Sequence, residues 1–389
     1  MTSPESVLDS LSVELPSWAF GNTGTRFNVF STPESARTAY EKIADAATVH
    51  RFTGSAHTVA LHIPWDTVAD YAELTRHARD LGIAIGTVNS NTFQDDAYRL
   101  GSLTHTDARI RRKAIDHNLA CLDILHQVGG RDLKIWLADG TNYPGQGDIR
   151  GRQDRMAESL AEIYSQLGTG QRLVLEYKFF EPAFYMTDVP DWGTAYAHVT
   201  ALGDRAVVCL DTGHHAPGTN VEFIAAQLMR LGRLGAFDLN SRFYADDDLI
   251  VGAADPFQLF RILFELVRAG GLEPGTQVNL MLDQCHYIEP KIPAQIRSVL
   301  NLQEMTARAA LVDTEALAAA QRDGDVLGAN AVLMDAFYTD VRPALARWRI
   351  ARGLPADPLA AYAGSGHQDD LAAGRMGGPT TTWAAASLG

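Results

Sequence analysis

Cysteine is scarce in this sequence: three residues, Cys121, Cys209 and Cys285, are scattered through 389. An odd and widely spaced set argues against a disulfide framework or a thiolate zinc site and points to a reducing, cytoplasmic setting. Long apolar runs are missing too. No stretch reaches the roughly 18 apolar residues of a membrane span. The N-terminal MTSPESVLDSLSVELPSW lacks a basic start followed by an apolar run, so no export signal is expected. Positive charge is in deficit, with 33 basic against 47 acidic residues and a formal net charge of −14. That balance argues against a nucleic-acid groove or an anionic membrane surface as partner and leaves small neutral or cationic ligands. Neither G-x-G-x-x-G nor G-x-x-x-x-G-K-[ST] occurs, which weakens an open nucleotide-binding sheet.

What is present is a rhythm. Eight short apolar runs, most followed by a stretch with helical spacing, fall at Phe27–Phe30, Thr58–Ile63, Ile83–Val88, Leu133–Ala138, Leu173–Lys178, Val207–Asp211, Gly235–Asn240 and Val278–Gln284. Segments 34–49, 66–80, 107–128, 152–167, 221–232 and 256–269 have the spacing of amphipathic helices, several opened by a capping Ser, Thr, Asp or Asn. Strands alternating with helices without a linker predict an α/β fold, a closed (β/α)8 TIM barrel with a C-terminal helical extension. The chain thus divides into a catalytic barrel with an N-terminal arm over 1–290, a helical extension over 291–363, and a flexible tail over 364–389 that orders only against a neighbouring subunit.

Barrel enzymes put catalytic side chains at the carboxyl ends of strands, and four successive runs here end in cation-binding groups. LEYK gives Glu176 and Lys178, two apart and on one side of the strand. LDTGHH gives Asp211, His214 and His215; FDLN and YADDDL give Asp238, Asp246, Asp247 and Asp248; MLDQCH gives Asp283 and His286. One such carboxylate alone is an ordinary solvated strand end. Four in a row, each closing an apolar strand, are costly unless paired or metal-bound. Glu176, Asp211, His214, Asp246, Asp248 and Asp283 are therefore expected to converge on one or two divalent cations. Carboxylate oxygens with one imidazole and no thiolate suit Mg2+ or Mn2+, and zinc accepts the same ligand types. Asp246 and Asp248, spaced i and i+2, can face one ion while Asp247 points away. Lys178 is either a plain ion pair with Glu176 or a group that polarises a substrate oxygen. His62 and Trp65 in HIPWD, with Phe93 and Trp136, are expected to form an aromatic wall with a polar handle at the same rim.

Taken together, LEYKFFEPAFY, DTGHHAPGTN, ADDDL, LDQCH, HIPWD and ADGTNYPGQ resemble L-rhamnose isomerases of the non-enteric bacterial type, from about Trp18 into the helical extension. That family resembles xylose isomerases in fold. The resemblance implies a homotetramer of (β/α)8 barrels, two divalent cations per subunit (Mn2+, with Mg2+ or Co2+ as alternatives), and a small neutral sugar as substrate. The implied reaction is L-rhamnose to L-rhamnulose, part of rhamnose catabolism, by metal-assisted proton and hydride transfer between C1 and C2. Another aldose isomerase, or a ketose epimerase on the same barrel, is the alternative; an epimerase uses glutamates on opposite faces of the sugar, and only Glu176 is evident at a strand end.

Carried over residue by residue, the resemblance implies that Glu176 bridges both ions and that Asp211 and Asp283 hold a structural ion. His214, Asp246 and Asp248 would hold the catalytic one. Lys178 would contact the sugar oxygens, and His62, Trp65, Phe93 and Trp136 would line the substrate pocket. Lys178, His214 and Asp283 are the candidate catalytic residues. One position departs from the family pattern, because Asp238 stands where the family has a histidine ligand. That implies a further metal ligand, or one held off by a water, and an extra carboxylate that favours harder ions.

Overall fold

The first barrel strand is not the one the apolar pattern suggests. In the computed structural model, which describes residues 4–24, 28–181, 185–273, 276 and 278–375, it is Val13–Pro16. The expected run Phe27–Phe30 lies outside the barrel: Val29–Phe30 pairs antiparallel with Thr23–Gly24, and Phe27 falls outside the described residues. The sequence VELP hides its strand because Glu and Pro are both depleted in sheets. Glu14 is tolerated because it turns into the barrel, where it accepts from Thr87 Oγ1 at 2.6 Å and from Asn279 Nδ2. A Cβ on Gly86 would collide with Glu14 Oε1, so the neighbouring strand supplies the one residue type without one.

The other seven strands fall on the expected runs: Ala56–Ile63, Ala84–Ser90, Asp132–Ile135, Arg172–Glu176, Ala206–Asp211, Leu234–Leu239 and Asn279–Leu282. All pair parallel with their chain neighbours, and Val13–Pro16 closes the ring by pairing with both Asn279–Leu282 and Ala56–Ile63. Register then aligns the acidic ends: Glu176 lies opposite Cys209, and Asp211 opposite Asp238. Alternate residues share a face, so Cys209 and Asp211, Ala236 and Asp238, and Val174 and Glu176 project together. Val174, Val207, Cys209 and Ala236 form a small apolar cluster of their own, separate from the main core between strands and helices.

The helices follow from capping and one apolar face. Ala39–Thr53 begins with a Thr38/Glu41 capping box and ends at Gly54 in the left-handed region. Pro256–Arg268 has Asp255 as cap and Pro at its start, and buries Leu259, Phe260, Leu263 and Phe264 at helical spacing. A further helix, Trp192–Leu202, lies between the fifth and sixth strands, capped by Asp191. Lys291–Ala310 packs on Pro256–Arg268 and Ala39–Thr53 and so serves as the eighth barrel helix. The helical extension proper follows it, and Phe337 there meets Phe257 edge-on at 4.9 Å.

The stretch after Gly364 is not wholly loose, since His367–Arg375 is helical. Arg375 donates to both oxygens of buried Asp45 at 2.9 Å, which ties that helix to Ala39–Thr53 of the same chain. Residues 376–389 of the expected tail lie outside the described residues. Among the described residues, no helix is long and apolar enough to cross a membrane.

Candidate metal centre

At the carboxyl ends of the strands opens a cavity of about 930 Å3. Its lining includes Glu176, Lys178, His214, Asp238, Asp246, Asp248 and Asp283 on one side and His62, Trp65, Phe93 and Trp136 on another; Asp211 lies fully buried beneath it. The side chains expected as cation ligands and pocket wall are thus brought to one place, whereas His215, Asp247 and His286 do not line the cavity. Ligand atoms of Glu176, Asp211 and His214 lie within 4.8 Å of one another, as do those of Asp211, Asp238 and Asp283, and those of Glu176, Cys209 and Asp238.

His214 sets the geometry. Its Nδ1 lies 3.1 Å from the Tyr177 carbonyl oxygen. A carbonyl only accepts, so Nδ1 carries a proton there. Nε2 then faces Asp246 Oδ1 at 3.4 Å and Asp211 Oδ2 at 3.8 Å. Asp246 Oδ1 is buried with no hydrogen-bond partner. A second ring proton or a cation among these atoms relieves the repulsion, and backbone-oriented imidazole with carboxylates is the donor set of a divalent-ion site. Asp248, the one non-glycine residue with positive φ (46°) among the described residues, lines the same cavity. A strained backbone of this kind is typical of functional sites.

Without a cation the cluster is electrostatically frustrated. Burial pushes the Glu176 carboxyl up to about 7, reinforced by the charge of Asp238. Burial also raises Asp211 to about 6, with Asp246 and Asp238 adding to it and His214 opposing. Burial drives Asp248 well above the carboxylate range, with Asp246 and Asp283 adding to it, and drives Asp283 up likewise, with Asp238 and Asp211 adding. Burial works against ionisation of Asp246 too, but His214 and Lys178 overcome it and hold its carboxyl below the usual range. A group of acids that resists ionisation in isolation fits a divalent cation.

Lys178 pairs differently from the sequence expectation. Its Nζ donates to Asp246 and Glu181, each at 2.7 Å, and lies 5.1 Å from the Trp136 ring centroid; Glu176 is not its partner. Asp247 turns away from the cluster and accepts from the backbone N–H groups of Phe243 and Tyr244 at 2.7 Å, shaping the loop that carries Asp246 and Asp248.

The aromatic wall is contiguous. His62 stacks on Trp65 at 3.7 Å, and Phe93 meets Trp136 edge-on at 4.8 Å. Trp136 Nε1 and His62 Nδ1 are buried without hydrogen-bond partners. Burial holds His62 well below its usual pKa, with Lys42 adding to the effect, so its ring is neutral. Behind it, Asp66 accepts from Ser17 Oγ at 2.5 Å, the His62 amide at 2.7 Å and Lys42 Nζ at 2.5 Å. Replacing Asp66 by Asn should cost about 3–5 kcal/mol, because Lys42 is left buried without a counter-charge. Denaturant titration of the Asp66→Asn variant checks this, and an unchanged midpoint would remove Asp66 as the anchor of the wall.

Sequence reasoning missed Trp18, Lys134 and Glu181. Trp18 donates from Nε1 to Asp283 Oδ1 at 2.9 Å. It follows the unrecognised first strand, and reading VELP as that strand would have put it on the rim. Glu181 was legible as an acid close behind Lys178. Lys134, whose Nζ donates to Asp238, gave no local signal beyond a charge in an apolar strand.

Known proteins agree with this architecture. A probable sugar isomerase of Rhizobium meliloti (strain 1021) is 40% identical over 373 residues, covering 93% of this chain and 86% of that protein. Another, from Mesorhizobium japonicum, is 40% identical over 375 residues, covering 95% and 87%. Among solved structures, an L-ribulose 3-epimerase superposes with a TM-score of 0.58 at 13% identity, covering 77% of this chain and 97% of that one. A D-psicose 3-epimerase crystallised in the presence of D-fructose gives 0.53 at 15%, covering 77% and 96%. At that identity these two speak for the fold alone. Residues 31–266 match the family described as xylose isomerase-like TIM barrel, and with the closed barrel and the two rhizobial relatives this establishes that the chain belongs to that family.

Proposed function

We propose that the chain is a divalent-metal-dependent aldose–ketose isomerase that interconverts L-rhamnose and L-rhamnulose. The observation that carries this reading is one cavity holding both a buried carboxylate–imidazole cluster and an aromatic wall with unpartnered polar atoms. The two rhizobial relatives, each named a probable sugar isomerase, support the reaction class. The motifs that resemble L-rhamnose isomerases support the sugar.

In this reading Glu176, Asp211 and Asp283 would hold one divalent ion, the deeper of two, and His214, Asp246 and Asp248, with Glu176, would hold the outer one. Mn2+ is the proposed occupant. Bound divalent cations supply Lewis-acid polarisation of the sugar oxygens at C1 and C2. The chain's own groups do the rest. Lys178 is a fixed positive charge: burial opposes its ionisation, but Asp246 and Glu181 hold its pKa above the ordinary lysine value, so it stabilises developing negative charge rather than delivering a proton. Trp136 Nε1 can donate to a sugar hydroxyl and neutral His62 can accept or donate through Nδ1. Trp65, Phe93 and Trp136 exclude water from the reacting carbons.

A ketose epimerase needs acid–base glutamates on opposite faces of the sugar. The cavity's second glutamate, Glu181, follows the same strand as Glu176 and is tied to Lys178, which favours the isomerase. After EDTA treatment, an aldose-to-ketose assay should show no turnover, and Mn2+ add-back should restore it. Across an aldose panel at matched Mn2+, L-rhamnose should give the highest kcat/KM, above L-mannose, L-lyxose and D-allose. Unaltered sugar throughout would sink the isomerase reading. We also propose a homotetramer, which light scattering tests.

A further inference from the structure

Beneath the acidic cluster lies a cation, Lys134, to which the proposed function gives no role. Lys134 stands two residues before Trp136 and so on the same, inward face of the fourth strand. Its side chain is 2% exposed, that of Asp238 1%, and its Nζ donates to Asp238 Oδ1. Nζ also lies 3.6 Å from Met281 Sδ. An ammonium this deep needs a counter-charge, and Asp238 is the carboxylate it is paired with among the described residues.

Asp238 is at the same time a vertex of two possible ion-binding groups, with Asp211 and Asp283 and with Glu176 and Cys209. One carboxylate therefore faces an ammonium on one side and the ligand set on the other. The Asp238–Lys134 pair has no net charge, as a neutral histidine would have none. The extra carboxylate that would have favoured harder ions is thereby cancelled.

We propose that Lys134 is a positioning residue, a resident cation that takes Asp238 as its counter-ion and makes the deeper metal position, at Asp211, Asp238 and Asp283, weaker than the outer one. The inference rests on the metal-dependent reading above and deepens it by assigning the two positions unequal affinity. The physical cause is double. A fixed ammonium repels a divalent ion held by the same carboxylate in a buried, poorly screened site, and a carboxylate oxygen engaged by Nζ is a poorer ligand.

Calorimetric titration of the EDTA-stripped full chain with Mn2+, with metal content measured after dialysis, tests this. Wild type should show two binding events of unequal affinity. In Lys134→Met the weaker event should tighten by at least about tenfold, while Lys134→Arg, which keeps the charge, should titrate like wild type. Circular dichroism reports folding; if Lys134→Met does not fold, Lys134→Gln, which keeps a donor to Asp238, carries the same expectation. An unaltered weak event in the neutral variant, or two equal events in wild type, would overturn this inference alone. A wild-type chain that takes up no Mn2+ would overturn the proposed function with it.

Discussion

Glu176→Gln should lower aldose turnover by about a thousandfold or more and leave the protein with little bound divalent ion. Glu176 is buried at the centre of the cluster, within ligand distance of both Asp211 with His214 and Cys209 with Asp238. Gln keeps the shape and one acceptor oxygen but removes the negative charge, so the loss is electrostatic rather than steric. His214 Nδ1, 3.2 Å from Glu176 Oε1, also loses a charged neighbour. Steady-state rates and metal analysis of the purified variant decide the matter. A fall of less than tenfold with full metal content would take Glu176 out of the centre.

The second large effect is on stability, and its sign follows from the buried acids. In the metal-free protein Glu176 titrates at about 7 against 4.5 for the ordinary side chain, and Asp211 at about 6 against 3.8. Between those values the folded state holds more protons than the unfolded one, so raising the pH destabilises it. The contribution is complete below about pH 4 and is lost as pH rises through 6 to 7, at roughly 1.4 kcal/mol per pH unit for each such group. His214, raised well above its usual value because Asp211 and Asp246 outweigh burial, acts in the same direction above pH 6.5. Asp246, held low, loses its contribution only in stronger acid.

The metal-free protein should therefore melt about 5 °C or more lower at pH 7.5 than at pH 5. With Mn2+ bound, the cation holds the carboxylates ionised, and the slope should flatten or reverse over the same range. Scanning calorimetry at both pH values, with and without metal, makes the comparison. A metal-free profile that is flat or rises with pH would show that the cluster is not strained in the way its burial implies.

Much of the architecture was legible because it depends on local chemistry. Runs such as AVVCLD and LGAFDL are apolar on both faces and too short for helices, so a buried parallel strand is the natural outcome. Where a strand broke that chemistry, as VELP does, the pattern misled. The helix Trp192–Leu202, rich in residues of middling hydropathy and burying only Ala195 and Val199, gave a weak period for the same reason.

The sequence by itself determined the barrel class with seven of its eight strands, the acidic strand ends and the aromatic set, since each is a property of residues close in the chain. Only the tertiary structure decided who pairs with whom. Lys134 and Asp238 are 104 positions apart, Lys178 and Asp246 68, and Trp18 and Asp283 265, and no local period links them. Charges buried inside a closed barrel must find partners across its axis, and that axis exists only once all eight strands have closed.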